Sequence, residues 1–488
     1  MGGMPYLKTL ISRYNEPVSI LPLALFRIVY GAILVISALR YFYRDDIFRD
    51  YIAPTVLFPM LPWIPRLPDT WMYLPFVGML VGAVGIFLGW RFRFHAWLFF
   101  VSWLYIFVID VSQYNNHYYL MALLAFLLAI TDSHRLLSLD ARRLPHVKRL
   151  EVPAWQVFLF QFQVGVVYFY GGLSKFLPQW LDGTIMHFLV AGIHDHQLLG
   201  PVFATDLAVW IWTYTGLFFD LVIGFLLFWK PARRWALWGC VMFHLLNEFV
   251  FFSSQSQNGH IGLFPMMGIA MCLVFLEREA YVGFLVRIRA GMDRFLGHVG
   301  VGFSSQPALK INVALSQKKG QPEARRWVLV LIGIYVLVQV VLPFRRMLFP
   351  DYLWTREGLL FGWTMKLSVY TSDTMIRFKV QDPATGLSSD VDLRNSLTYS
   401  QYLRVCHSPY MVWLYAQYLS RASHEHARVR RAVAQQGKQL PPKLEVYVYR
   451  SAVGLNSETA YPLISPIVNL AEVDYKFWSH NEWILLRR

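Results

Sequence analysis

The chain has 488 residues, of which 56% are hydrophobic and only 15% charged, against roughly a quarter charged in an ordinary soluble domain. A soluble fold cannot bury so many long apolar runs, whereas lipid is a natural solvent for them. The net charge of +15 invites a nucleic-acid reading, but the basic residues fall mostly in loops between apolar runs, so membrane topology explains them and no nucleic-acid partner is expected.

Nine runs read as spanning helices, at approximately 21–42, 74–90, 94–110, 117–131, 155–176, 207–229, 235–253, 260–277 and 327–344. With the N-terminus in the cytoplasm, the inner loops hold Arg91 and Arg93; Arg135, Arg142, Arg143, Lys148 and Arg149; Lys230, Arg233 and Arg234; and the basic stretch 278–326. The outer loops then hold Arg44, Arg49 and Arg66, which is the asymmetry of the positive-inside rule. Nine crossings put the C-terminal part outside, in the periplasm of a bacterial inner membrane. The chain is rich in Trp, Tyr and Phe, the rings that anchor helix ends at the interface.

The expected fold class is therefore a polytopic α-helical membrane protein of about nine transmembrane helices with a C-terminal α+β, β-rich extracytoplasmic domain. Residues 1–277 form the helical bundle with a catalytic vestibule. Residues 278–326 form an amphipathic surface helix (YVGFLVRIRAGMDRFLGHVG) and a polar linker. Residues 327–344 form the last helix and 345–488 the outer domain. In the outer domain MIRFKV, DVDL and KLEVYVY alternate apolar and polar residues around turn signals such as DPATG, and a helical segment interrupts them at roughly 398–434. The three Cys form no CxxC or Cys/His cluster, so neither a zinc knuckle nor a disulfide framework is expected.

Ionisable residues inside a membrane are expensive and default to functional candidates. Lys175 ends the run FQFQVGVVYFYGGLSK. It reads either as a snorkelling interfacial lysine or as a desolvated amine able to act as a general base. His244, Asn247 and Glu248 are spaced to share one face of the seventh helix. A metal held by His244 and Glu248 with His117 or His260 is conceivable, but neither HExxH nor a paired ExxH occurs, and no metal is expected. Asp220, deep in the sixth helix, reads as a helix–helix hydrogen-bonding group, and Asp182 as a structural polar residue. In QYNNHYYL, Asn115 or Asn116 suits a helix N-cap, and His117 follows at the outer face.

At these segments the sequence resembles the vitamin K-dependent γ-glutamyl carboxylase family. NNHYYLMALLAFLLAITDSHRLLSLD is similar to the family's NNH-containing helix, and VYFYGGLSKFLPQWLDGTIM to the segment carrying its catalytic lysine. GLFFDLVIGFLLF, FHLLNEFVFF and IGLFPM follow in the family's order, and LWTREGLLFGWTMKL resembles its Trp-containing entry to the outer domain. The resemblance implies that Lys175 deprotonates vitamin K hydroquinone or, in a bacterium, menaquinol. Reaction with O2 then yields a strong base that removes a γ-proton from a glutamate of a peptide or protein substrate. The carbanion captures CO2 and the quinone leaves as its epoxide. His117 is implied as a second catalytic group, with Asn115, Asn116, His244, Asn247, Glu248 and Trp363 binding quinone or substrate. The sequence departs from animal members in lacking a Cys pair to join its two parts and in carrying Thr364 and Lys366 within FGWTMK. The implied quinol chemistry therefore rests on more matched residues than the carboxylation does.

Overall fold

A computed structural model describes residues 12–191, 193, 200–253, 264–277, 326–365, 367–368, 370–383, 386–421, 435, 443–456 and 459–487. The proposed amphipathic segment and linker, His260, Lys366 and residues 422–434 lie outside the described residues.

Among the described residues, nine helices overlie the nine apolar runs: α1 Leu21–Tyr43, α2 Tyr73–Leu88, α3 Phe92–Ile109, α4 Asn116–Ile130, α5 Ala154–Leu173, α6 Asp206–Phe228, α7 Lys230–Ser253, α8 Phe264–Cys272 and α9 Arg326–Phe344. Among the described residues, five segments are long and apolar enough to cross a membrane: α1, Asp69–Leu88, α3, α6 and Val328–Leu348. At about 1.5 Å per residue, α4 reaches only about 22 Å, short of a hydrocarbon core of about 30 Å. Its Leu120, Leu124, Leu127 and Leu128 are buried, so α4 is wrapped by protein. On α6, by contrast, Trp210, Ile211, Phe218 and Phe225 are exposed apolar side chains suited to lipid. The protein is a polytopic helical membrane protein with a strand-containing C-terminal region.

A buried arginine closes the first three helices. Arg27 of α1 donates to the carbonyls of Ile86 and Phe87 at 2.8 and 2.9 Å and to that of Leu137 at 2.5 Å. The first two belong to the last turn of α2, whose carbonyls have no partner within the helix. Asp140 does the converse for α3, accepting from Arg91 N and Phe92 N at 2.8 and 2.9 Å. A two-stranded ribbon, β1 Pro17–Ser19 against β2 Glu151–Pro153, ties the start of α1 to the start of α5.

Beyond α9, an antiparallel sheet has the order β4-β3-β5, from β3 Met375–Gln381, β4 Ser388–Val391 and β5 Glu445–Ala452. In β3 the alternation puts Ile376, Phe378 and Val380 inward, all fully buried. They pack on Val405, Val412 and Tyr415 of α10 Tyr399–His407 and α11 Pro409–Arg421. Thr398 and Gln401 form a reciprocal capping box that starts α10.

The two parts are joined by hydrogen bonds. Gln401 Nε2 donates to Val56 O at 2.8 Å, Arg404 Nη1 to Tyr114 O at 3.0 Å, and Phe361 N to the Tyr114 hydroxyl at 2.7 Å. Asn116 Nδ2 donates to Thr364 O at 2.6 Å.

Candidate functional site

Tight packing of α5 on α6 builds the centre of the site. Gly172 lies so close to Leu221 that a Cβ there would come within 2.7 Å of the Leu221 backbone N. This approach brings Lys175, just past the end of α5, against the middle of α6. Its Nζ donates to Asp220 Oδ2 at 2.5 Å and to Gly216 O at 3.0 Å, and lies 5.0 Å from the centre of the Trp180 ring. Lys175 and Asp220 are each 6% exposed, so this is a buried ion pair and not a snorkelling lysine. An ammonium has three donors. Two meet Asp220 and Gly216, and the nitrogen stands at a cavity wall. The second carboxylate oxygen, Asp220 Oδ1, is buried without a hydrogen-bond partner.

The cavity has a volume of about 1340 Å³ and runs from this pair, between the helices, to the strand-containing C-terminal region. That exceeds the roughly 300–1,000 Å³ of an ordinary small-molecule pocket. His244 of α7 is buried, and its Nε2 lies 2.7 Å from the Tyr168 hydroxyl. Gly268 of α8 leaves room for that ring, since a Cβ there would fall 2.1 Å from His244 Nε2. At the start of α4, Asn115 Oδ1 accepts from Tyr118 N at 2.8 Å, which makes it the N-cap. His117 packs its ring 5.3 Å from Phe264, whose own ring is 6.0 Å from His244.

The structure thus gathers Lys175, Asp220, Asn115, Asn116, His117, His244 and Asn247 around one cavity. Three residues named from the sequence lie elsewhere. Glu248 does not line it, although it shares a helix face with His244. One residue advances a helix by about 100°, so Asn247 and Glu248 fall on opposite sides of His244, and the cavity is on the Asn247 side. Trp363 is fully buried in the helical core, 5.0 Å from Tyr119, with its indole nitrogen unpartnered. Its left-handed backbone, φ +54°, turns the next residues, Thr364 and Met365, to the cavity instead. Asp182 is exposed and accepts from Thr184 N at 2.8 Å at the start of the short helix Thr184–Ala191. Among the described residues no three His, Cys, Asp or Glu side chains converge on a metal position, and Cys240, Cys272 and Cys406 are free thiols.

Tyr168, Trp180 and Gly216 join the site without having been read from the sequence. Tyr168 had a signal, since it precedes Lys175 by seven residues, two helical turns. The half of the cavity wall from the C-terminal region holds Arg356, Tyr370, Arg404 and His407. The Tyr370 and His407 rings are 3.8 Å apart. Loss of solvent, then the charges of Arg356 and Arg404, push His407 well below the ordinary imidazole range.

Two family models match the chain: the HTTM domain over residues 15–279, and the lumenal domain of vitamin K-dependent gamma-carboxylase over residues 324–488. The chain belongs to the vitamin K-dependent γ-glutamyl carboxylase family. No solved structure matches it. The first match covers the helices that carry Lys175, Asp220 and His244, and the second covers the sheet together with Arg345, Arg356 and Arg404. At the level of this carboxylase family, the function is vitamin K-dependent carboxylation, and vitamin K hydroquinone is the co-substrate that membership implies.

Proposed function

We propose that this protein carboxylates glutamate side chains of a peptide or protein substrate, coupled to oxygenation of vitamin K hydroquinone or menaquinol to its 2,3-epoxide. The observation that carries this reading is Lys175, a buried amine held against Asp220 at the wall of a large cavity that reaches the outer domain. A passive scaffold has no need of such a pair at a cavity wall. The fit to a quinol rests on the same wall: an amine nitrogen, an unpartnered carboxylate oxygen, and apolar surfaces from Trp180, Phe243, Phe264 and Met271.

When bound, the quinol with O2 supplies the strong base that takes the γ-proton of glutamate. Lys175 serves as the first proton acceptor: with the proton of the pair held on Asp220, its amine forms a new N–H bond as the quinol O–H bond breaks. Asp220 and the Gly216 carbonyl keep the resulting ammonium hydrogen-bonded, and the quinol anion is its counter-charge. His244, fixed by Tyr168, and Asn247 present polar atoms from α7, while Asn116 and His117 do so from the start of α4. The aromatic lining excludes water, which would quench both a strong base and a carbanion. The N-terminus is assigned to the cytoplasm and the outer domain to the far side, supported by the distribution of basic loop residues.

The test uses purified protein with the reduced quinone, O2, labelled bicarbonate and a glutamate-containing peptide, for wild type and Lys175→Ala. Wild type should form epoxide and fix label in step, and the variant neither. Epoxide without fixed label would reduce the activity to quinol epoxidation. Absence of both products with either quinol would leave a non-enzymatic membrane protein on this scaffold.

A further inference from the structure

The loop between α4 and α5 carries a cationic run that the reaction does not use. In ARRLPHVKRL, residues 141–150, four cations and a histidine occur without one acid. Arg142, Arg143, Lys148 and Arg149 are exposed, and among the described residues none of them enters an ion pair. Two of the three acids in this loop are occupied elsewhere. Asp132 meets Arg93 and Arg135 at 2.8 and 2.9 Å, and Asp140 accepts from the backbone N of Arg91 and Phe92. Only Glu151, exposed at the start of β2, is left.

A charge run usually faces water alone, but this one is interleaved with exposed leucines. Leu144 is 47% exposed and Leu150 43%, and Leu137 just before them is 48% exposed. The loop is also fixed at the end of the helical bundle. Arg27 donates to Leu137 O, and Asp140 N donates to Gly89 O at 3.0 Å, beside the exposed Trp90. A Trp at the end of a spanning helix marks the depth where headgroups begin. The Arg91 guanidinium lies 5.8 Å from that ring. The backbone that presents the cations is itself held. Ser138 Oγ accepts from Ala141 N at 2.9 Å, Val147 N donates to Leu144 O, Arg149 N to Arg135 O, and Ile20 N to Leu150 O. The four cations thus stand on an ordered platform, and little ordering entropy opposes binding there.

We propose that Arg142, Arg143, Lys148 and Arg149 form a docking surface for the headgroups of anionic phospholipids, with Leu144 and Leu150 against the upper acyl chains. Guanidinium groups match phosphate geometry, and cations interleaved with apolar side chains are the pattern of an interfacial lipid contact. A zwitterionic headgroup brings its own cation to this surface, so a headgroup of net negative charge is preferred. A soluble polyanion would leave the leucines in water. The surface is independent of the chemistry at Lys175, although β2 leads from it directly into α5, the helix before that lysine.

Full-length protein in a zwitterionic detergent, titrated with phosphatidylglycerol or with phosphatidylcholine of the same acyl chains, tests this by native mass spectrometry of bound lipid. Each basic residue at an anionic surface contributes roughly a fivefold factor in affinity, so phosphatidylglycerol should bind wild type at least about tenfold tighter. Arg142→Gln with Arg143→Gln, and Lys148→Gln with Arg149→Gln, should each narrow that preference several-fold, and all four together should remove it. Lys230→Gln with Arg234→Gln changes exposed cations at the start of α7 and should leave it intact. Thermal unfolding in phosphatidylcholine nanodiscs checks that each variant folds, and single glutamine variants stand in for any combination that does not. Equal binding of the two lipids by wild type overturns the proposal. A preference that survives all four substitutions, or that falls equally in the α7 variant, overturns its assignment to this loop. Displacement of bound phosphatidylglycerol by millimolar inorganic phosphate would make the surface a site for free anions and overturn the lipid assignment.

Discussion

Lys175 Nζ and Asp220 Oδ2 lie 2.5 Å apart, one just past the end of α5 and the other on α6, 45 positions apart in sequence, with both side chains buried. Removing one member of such a pair strands a charge in an apolar setting, whereas removing both does not. Lys175→Met and Asp220→Leu should each lower stability by about 3–5 kcal/mol. The double variant should recover most of that loss in thermal unfolding and still form no epoxide. An active double variant would show the pair to be structural only.

The spacing of that pair depends on Gly172. A Cβ there would meet Leu221 N at 2.7 Å and Leu221 Cγ at 2.8 Å, so Gly172→Ala must push α5 away from α6. Misplacing a reacting group by about 1 Å costs on the order of a hundredfold in rate. Gly172→Ala should therefore lower the rate of epoxide formation at least about tenfold. Gly165→Ala, on the same helix, meets nothing nearer than 3.5 Å and serves as the control. Comparable rates for the two alanine variants would detach the site from this helix contact.

Much of this architecture is legible in the sequence because one rule dominates it. Runs such as 21–42 and 207–229 are as long as the hydrocarbon is thick, and α1 and α6 follow them closely. MIRFKV alternates cleanly, and β3 is where that alternation puts it. What the sequence withholds is pairing between helices. Lys175 and Asp220 stand out singly, but no i, i+4 rule connects residues on separate helices. Glu248 does not line the cavity because a shared face still spans about 100° from Asn247 to Glu248, and the cavity sits to one side. Trp363 packs in the helical core and leaves the cavity to Thr364 and Met365, where its positive φ turns the chain. Arg404 carries no local signal at all, as an arginine on a short amphipathic helix usually meets solvent.

His407 provides a stability measurement in the outer domain. Its loss of solvent, reinforced by Arg356 and Arg404, holds the folded-state pKa well below the ordinary 6.5. The unfolded chain then binds the proton more readily, so stability is complete above about pH 6.5 and falls as the pH drops below it. The loss ends only at the folded-state pKa. Denaturant unfolding of wild type should weaken between pH 7 and pH 5, and His407→Gln should weaken less over that interval. Parallel curves would show that other groups govern the acid response.

Asn116 carries the closest link between the two parts of the cavity wall, with its amide donating to Thr364 O at 2.6 Å while its Oδ1 accepts from the Tyr114 hydroxyl at 3.2 Å. Tyr114 also accepts from Phe361 N and, through its carbonyl, from Arg404. The amide thus sits where the start of α4 meets the segment leading into the outer sheet. Asn116→Asp keeps the shape but replaces a donor with a charge facing a carbonyl. Loss of a buried partner costs about 1–3 kcal/mol, so the variant should unfold at lower temperature than wild type. Its effect on catalysis should fall mainly on the peptide, because Lys175 and Asp220 are held by a separate helix pair. The expected signature is a several-fold rise in peptide KM with little change in the maximal rate of epoxide formation. A drop in that rate at saturating peptide would instead place Asn116 against the quinol, and would move the boundary between the two halves of the cavity inward past α4.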